Sequence, residues 1–395
     1  MNIAFLNAVA YGSTGRIVSA LADEARRQGH RTLVTSGFTW VKSTRDDFVL
    51  TSGIVEKTLH TFLAYHTGKI GTYSRHATRR LLKKLDAFSP DILHLHNLHG
   101  WYLNLPMLFD YIREKNIRVI WTLHDCWAFT GHCPHFDACG CEKWKSGCHD
   151  CSQHRLYPQS RRDASSEMYE NKRRWFSSVK DLTIVTPSRW LAELVKESFL
   201  SEYPVCVIPN GIDTTLFSPK KEKAPSPPYN LLGVSYAWNQ KKGLDVFCEL
   251  AETLGDDYRI TLVGTDENCE KTLPENVTAI RRTQNAEELV SLYSEAHLFV
   301  NPTREENFPT VNLEALSCGT PVLTFCTGGS AEMLNETCGE SVPKNDTSRL
   351  SERIQYICEN NPYPKDACRK RALAFDNATF LSRYLSLYER REDLK

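Results

Sequence analysis

Residues 306–334 read ENFPTVNLEALSCGTPVLTFCTGGSAEML, and the punctuation of that stretch predicts a turn, a helix, a strand and a glycine loop in that order. Pro309 suits the first turn of a helix, where its missing N–H costs nothing, and Gly319 with Pro321 ends the same helix about three turns on. Val322 to Phe325 then reads as a buried strand, and Thr327-Gly328-Gly329 as the loop beyond it. Backbone amides between Phe308 and Val311 point out of the helix N-terminus, a ready site for a diphosphate. Glu306 lies just before that end and Glu314 inside the helix, so the two carboxylates serve different groups. One reaches hydroxyls beside the phosphates and the other a ribose on the far side. Taken alone, the same glutamates also read as solvated charges on an ordinary amphipathic helix.

Outward from this stretch, short β-branched runs alternate with helical ones along the whole chain, which predicts parallel sheets covered by helices. The expected strands are Ile3 to Leu6, Thr32 to Thr35, Ile92 to His96, Val119 to Leu123, Thr183 to Thr186 and Val205 to Ile208. Leu231 to Val234, Ile260 to Val263, Leu298 to Asn301 and Val322 to Phe325 continue the series. The 395 residues allow two domains, each with its own core. Lys plus Arg number 48 and Asp plus Glu 48, so no overall charge points to nucleic acid as a partner. The chain opens directly on a strand, without the basic and apolar regions of a signal peptide, and no apolar run approaches the roughly 18 residues of a membrane span. A cytoplasmic protein is expected, with contact at the inner face of the plasma membrane as an additional reading.

Six further short motifs occur in sequence. They are Asp91-Ile-Leu-His-Leu-His96, Thr122-Leu-His-Asp125, Thr186-Pro-Ser-Arg189, Ile208-Pro-Asn-Gly-Ile-Asp213, Lys242-Gly243 and Leu262-Val-Gly264. With the Glu306-x7-Glu314 segment they resemble the retaining GT-B glycosyltransferases of glycosyltransferase family 4 over most of the chain. The run from Leu95 to Tyr102 and the cysteine-rich segment after Asp125 resemble a bacterial surface-polysaccharide branch of that family, of the colanic acid, capsule or O-antigen type. The resemblance implies an α/β GT-B fold, two Rossmann-like domains facing across a cleft. The acceptor-side domain is then residues 1–200 and the nucleotide-sugar domain 201–371, with a helical segment 372–395 crossing back to the first. The stretch 218–229, SPKKEKAPSPPY, is then a loop just inside the second domain.

The same resemblance assigns roles to residues. Asn307, Phe308, Pro309, Thr310 and Glu314 belong to the donor site, and Glu306 to catalysis. Lys242 supplies a point charge to the leaving diphosphate. An arginine usual five residues before it is replaced here by Ala237, and Lys241 is the candidate second cation, although a Lys-Lys pair is also an ordinary solvated turn. Tyr11-Gly-Ser-Thr-Gly-Arg16 is a tight strand-to-helix connection in which Gly15 is expected to approach the donor diphosphate; the full G-x-G-x-x-G spacing of a dinucleotide site is absent. His124 ends a strand near the reacting sugar, with Asp125 on the acceptor side, while His94 and His96 read as structural. No Asp-x-Asp occurs anywhere in the chain, which agrees with a site that needs no divalent ion and no catalytic cofactor. Whether Glu306 attacks covalently or the leaving phosphate guides same-face attack stays open.

Fourteen cysteines are present, and the informative group lies in GHCPHFDACGCEKWKSGCHDCSQH, residues 131–154. Cys148-x-x-Cys151 has the spacing of a zinc half-site, and Cys133 with Cys141 completes a candidate structural zinc tetrahedron, Cys139 or a nearby histidine standing as substitutes. The premise is that so polar a connection cannot hold itself by apolar burial; free thiols in a folded loop are the alternative. Residues 69–84 carry Lys69, Arg75, Arg79, Arg80, Lys83 and Lys84 with no acid, and Leu81, Leu82 and Leu85 give an apolar side. The segment reads as a lipid-facing helix or as a solvated one. The expected partners are a UDP- or GDP-sugar donor and a saccharide or polyprenyl-diphosphate-linked acceptor, and the reaction a sugar transfer in surface polysaccharide synthesis. A catalytically silent GT-B scaffold that binds a nucleotide or a partner transferase is the rival, favoured by Ala237 alone.

Overall fold

The computed structural model describes residues 1–38, 43–220, 223 and 226–390. Four residues of the expected loop 218–229, and the last five of the expected segment 372–395, lie outside the described residues. The chain divides into two compact units, Met1–Ile208 with Leu381–Lys395, and Pro209–Phe380. The change of unit therefore falls at Ile208 and Pro209 rather than at residue 200.

Unit 1 holds one parallel sheet made of β1 (Asn2–Val9), β2 (Arg31–Phe38), β3 (Phe48–Leu50), β4 (Ile92–Leu95), β5 (Arg118–Thr122), β6 (Leu182–Thr186) and β7 (Val205–Val207). Its strand order is β3-β2-β1-β4-β5-β6-β7. Unit 2 holds β8 (Tyr229–Val234), β9 (Tyr258–Val263), β10 (Val277–Ile280), β11 (Leu298–Asn301), β12 (Val322–Phe325) and β13 (Gly339–Val342), in the order β10-β9-β8-β11-β12-β13. All pairings are parallel. Central strands are buried on both faces, as the unbroken run Ile3, Ala4, Phe5 and Leu6 at 0% exposure requires. Both sheets reverse direction of growth once, between β1 and β4 and between β8 and β11. In such sheets the crevice beyond the strand carboxyl ends at the reversal is where ligands bind.

The helix Asn377–Tyr388 begins in unit 2 and its last turns belong to unit 1. There Tyr388 and Tyr384 are buried, their hydroxyls 2.8 Å from His94 Nδ1 and 2.9 Å from Thr122 Oγ1. Arg118 closes the helix end by donating to the carbonyls of Leu387 and Tyr388, each at 2.6 Å.

Candidate functional site

In unit 2 the chain leaves β8 and makes a single 3-10 turn, Gln240–Lys242, capped by the Asn239 side chain. Gly243 follows at φ +77°, where a Cβ would stand 2.5 Å from the Pro302 carbonyl oxygen. Glycine alone lets this turn close against the exit of β11. The closure brings Lys242 Nζ to 2.7 Å from Glu306 Oε2, and Lys241 Nζ to 2.5 Å from Glu305 Oε2. Arg304 fastens the two segments, its N–H donating to Lys241 O at 2.8 Å and its guanidinium to both Asp245 oxygens at 2.7 and 2.8 Å.

Two of these groups escaped the sequence reading. Glu305 is nearly buried, with its Oε1 lacking a hydrogen-bond partner, and Arg304 is a cation at the same turn. Their signal was adjacency: Arg304-Glu305-Glu306 is one charged run, which reads as a solvated loop until the Lys241-Lys242 turn is laid on it. Lys241, the candidate second cation, is paired with the Glu305 carboxylate.

Glu306 Oε1 accepts from Asn307 N at 3.0 Å, and Asn307 O accepts from Gly329 N at 2.9 Å, so the Thr-Gly-Gly loop is tied to the carboxylate turn. The helix runs Thr310–Ser317 with Pro309 at its N-cap, a shorter helix than expected, in which Pro309 precedes the first turn. Its N-terminus carries neither a side-chain cap nor an acidic residue in the first turn, which leaves the amides to an anion. Phe308 is buried among Ile212, Leu313 and Met333. Its ring is core, and its backbone is what it can offer a ligand. Glu314 accepts from the hydroxyl of fully buried Tyr293 at 2.9 Å, which fixes the carboxylate from beneath. Asn312, which the sequence reading passed over, accepts from Asn301 Nδ2 at 2.7 Å and donates to Ser330 O at 3.4 Å, joining β11, the helix and the glycine loop.

In unit 1 the exits of β4 and β5 carry a histidine cluster. His94 is bonded through both nitrogens, to Tyr388 and to Thr122 Oγ1 at 2.8 Å each. His96 Nδ1 lies 3.0 Å from His124 Nε2, with the ring planes within 14° of parallel and the centroids 5.3 Å apart. Burial pulls His124 down to about 4, with Asp125 pulling the other way, so the ring is neutral at neutral pH. Asp125 Oδ2 is 2.9 Å from His99 Nε2, and its Oδ1 accepts from Trp127 N at 2.9 Å. Burial alone would raise this carboxyl, but the charge and hydrogen bond of His99, the charge of His135 and the Trp127 N–H hold it at about 2. His99, which sits in the quoted run but was given no role, is thus the partner of the expected acceptor-side residue. Gly15 lies in the helix Gly12–Arg27, and a Cβ on it would meet Ala10 C at 2.6 Å. Its smallness first of all lets the helix start close on the end of β1.

Cys133 and Cys151 act on each other as a pair, the interaction lowering the Cys151 thiol and, together with burial, raising that of Cys133. Cys148 Sγ accepts from Gly131 N at 3.2 Å, and Cys139 Sγ is 2.7 Å from Gln153 Nε2. Cys133 lies within electrostatic reach of Cys148 and Cys151, and Cys148 of Cys141, while among the described residues no group of three or more His, Cys, Asp or Glu is arranged to hold a metal ion. The premise that the loop cannot hold itself by apolar burial is overturned, because Trp127, Phe129, Phe136 and Trp144 are all buried in the core of unit 1 and pack on one another. Of the two readings of residues 69–84, the structure agrees with the solvated helix. Leu81 and Leu85 are buried in the core of unit 1 and Leu82 packs against it, so the apolar side of the helix Arg75–Phe88 faces protein.

Comparison with known proteins identifies the family and the fold. The model described as Glycosyltransferase Family 4 matches residues 14–216, and that described as Glycosyl transferases group 1 matches residues 218–373. The chain is 26% identical over 317 residues to the putative colanic acid biosynthesis glycosyl transferase WcaC of Escherichia coli, covering 76% of each. It is 30% identical over 219 residues to the N,N'-diacetylbacillosaminyl-diphospho-undecaprenol alpha-1,3-N-acetylgalactosaminyltransferase of Campylobacter jejuni, covering 50% of this chain and 58% of that one. Anabaena Alr3699/HepE, solved in complex with UDP, superposes with a TM-score of 0.65 at 14% identity, over 99% of this chain and 100% of the other. The fold is GT-B, built from two parallel-sheet Rossmann-like domains.

Proposed function

The chain belongs to Glycosyltransferase Family 4, and from that premise we propose that it moves a sugar from a UDP- or GDP-sugar to a lipid-linked saccharide during assembly of a bacterial surface polysaccharide. The transfer retains anomeric configuration and needs no divalent ion. The observation that carries the reading is the Lys242–Glu306 pair, 2.7 Å apart beside an uncapped helix N-terminus at the β8 and β11 exits. A cation and oriented amides there can take up charge as the glycosidic bond breaks and the diphosphate leaves. Glu306, held by Asn307 N and Lys242, accepts from sugar hydroxyls in this reading, and Glu314 from the ribose. On unit 1, neutral His124 contacts the transferred sugar and Asp125 orients the acceptor. The colanic acid relative supports the polysaccharide setting, the diphospho-undecaprenol relative a lipid-linked acceptor, and the UDP complex a uridine donor.

The test is a panel of UDP-, GDP- and dTDP-sugars scored by thermal stabilisation and by hydrolysis. The true donor at a hundred times its dissociation constant adds about 2.7 kcal/mol of stability. Lys242→Ala and Glu306→Ala each lower turnover roughly a hundredfold while the fold persists. Near-normal turnover in both variants would overturn the donor site, and turnover abolished by EDTA and restored by manganese would overturn metal independence.

A further inference from the structure

The helix Ile54–Thr67 leaves an apolar stripe in water. Ile54, Val55, Leu59 and Phe62 are 53%, 76%, 56% and 59% exposed and recur at helical spacing, so they share one face. Leu156 and Tyr157, on the loop after the cysteine segment, are exposed as well. Between helix and loop runs a groove of about 760 Å³, inside the roughly 300–1,000 Å³ span of pockets that enclose a small molecule. Phe62, Tyr65, Trp101 and Tyr157 wall it. The two walls are bound together by Arg161 N, which donates to Tyr65 O at 2.6 Å.

Charge in the groove has one sign. Lys57 and Arg155 line it, and no carboxylate does. An aromatic trough with two cations and no acid is complementary to a ligand with an apolar chain and an anionic head. The groove is also joined to the chemistry of unit 1. Tyr157 OH is 3.1 Å from His99 Nδ1, whose Nε2 is 2.9 Å from Asp125, and Trp101 stands edge-on to the Tyr157 ring. A head group seated by Arg155 and Lys57 would carry its sugar toward Asp125.

We propose that this groove binds the first isoprenoid units and the diphosphate of a lipid-linked acceptor. The assignment rests on reading the chain as a transferase to such an acceptor, and it names the residues that select the lipid. Phe62 and Trp101 take the chain, Lys57 and Arg155 the diphosphate, and Tyr157 separates the lipid from the sugar.

Farnesyl diphosphate is the probe, titrated into the full-length protein by calorimetry and by tryptophan quenching. Binding should be saturable, with farnesol and inorganic pyrophosphate each at least about tenfold weaker, and Phe62→Ser or Arg155→Ala should each cost about tenfold. Both side chains are exposed, so neither change opens the core. Pyrophosphate binding as tightly as the probe, or affinity unaltered in both variants, would overturn the groove. Binding to anionic phospholipid vesicles without binding to the probe would make the stripe a membrane-resting face and also overturn it. The titration needs no nucleotide. Lost probe binding with donor hydrolysis intact therefore defeats the groove alone, and intact probe binding with no donor turnover defeats the transferase reading alone.

Discussion

His96 decides which way His124 presents its proton. The two rings share one hydrogen bond of 3.0 Å between His96 Nδ1 and His124 Nε2, and His96 Nε2 is buried with no partner. Were His124 the donor, His96 would carry an N–H at that orphaned position, whereas a lone pair left there is the cheaper arrangement. His96 therefore donates through Nδ1, and His124 keeps its proton on Nδ1. His96 is a positioning residue, and an asparagine amide can reproduce its donor. His96→Asn should keep most of the turnover, while His96→Leu should lose roughly a hundredfold, the usual scale for a misplaced acid-base group. Equal turnover in the two variants would contradict the tautomer assignment. Neither the distance nor the orphaned nitrogen could be read from Leu-His-Leu-His, where alternation says only that both histidines lie on one face of a strand.

The long connection between β5 and the helix Ser165–Phe176 is held by a lysine. Lys172 is fully buried, its Nζ 2.7 Å from Trp127 O, 2.9 Å from Thr130 O and 3.3 Å above the Trp127 ring, and burial pushes its pKa well below the ordinary lysine value. Asp163 adds a second clamp by accepting from Cys151 N at 2.7 Å and Ser165 N at 2.8 Å. Lys172→Met keeps the volume but leaves two buried carbonyls unmatched, so it should lower stability by about 3 kcal/mol, with new protease cleavage between residues 126 and 164. Wild-type urea midpoint and cleavage pattern would show that the lysine clamps nothing. In the sequence Lys172 sits in Asn171-Lys-Arg-Arg174, which reads as a solvated face, because burial of a lysine is decided by backbone carbonyls that no pattern displays. Strands show the same limit. Every expected strand forms, but β3, β10 and β13 were not foreseen, and all three are sheet edges. An edge strand such as Gly339–Val342, GESV, is half solvated and so lacks the apolar run that marks β1 or β12. The donor turn was legible because proline, glycine and glutamate fix backbone and charge locally. The pairing of Lys241 with Glu305 was not, since it needs two segments 64 residues apart.

Net charge over the whole chain is zero, yet its protons are unevenly arranged, and unit 1 holds the acid-labile share. His60, His94, His96, His124 and His132 all lie in unit 1, and burial is the largest cause that lowers each of them. His60 and His94 fall to about 3, and His124 and His132 to about 4. Above the unfolded value of about 6.5 neither state binds these protons, and stability is unaffected. As pH falls below 6.5 the unfolded chain protonates them while the folded unit does not, so stability drops by about 1.4 kcal/mol per histidine per pH unit. Five such groups would remove the roughly 5–15 kcal/mol of an ordinary domain within about two units. Unit 1 should therefore unfold between about pH 6 and pH 4, ahead of the Asp125 carboxylate, whose own contribution is lost only toward about 2. Trp121, Trp127 and Trp144 are buried in unit 1, and Trp238 lies in unit 2. Tryptophan emission in a Trp238→Phe variant thus follows unit 1 by itself. Emission that stays native down to pH 4 would mean that the folded unit admits these protons, and that the buried histidines are not held neutral.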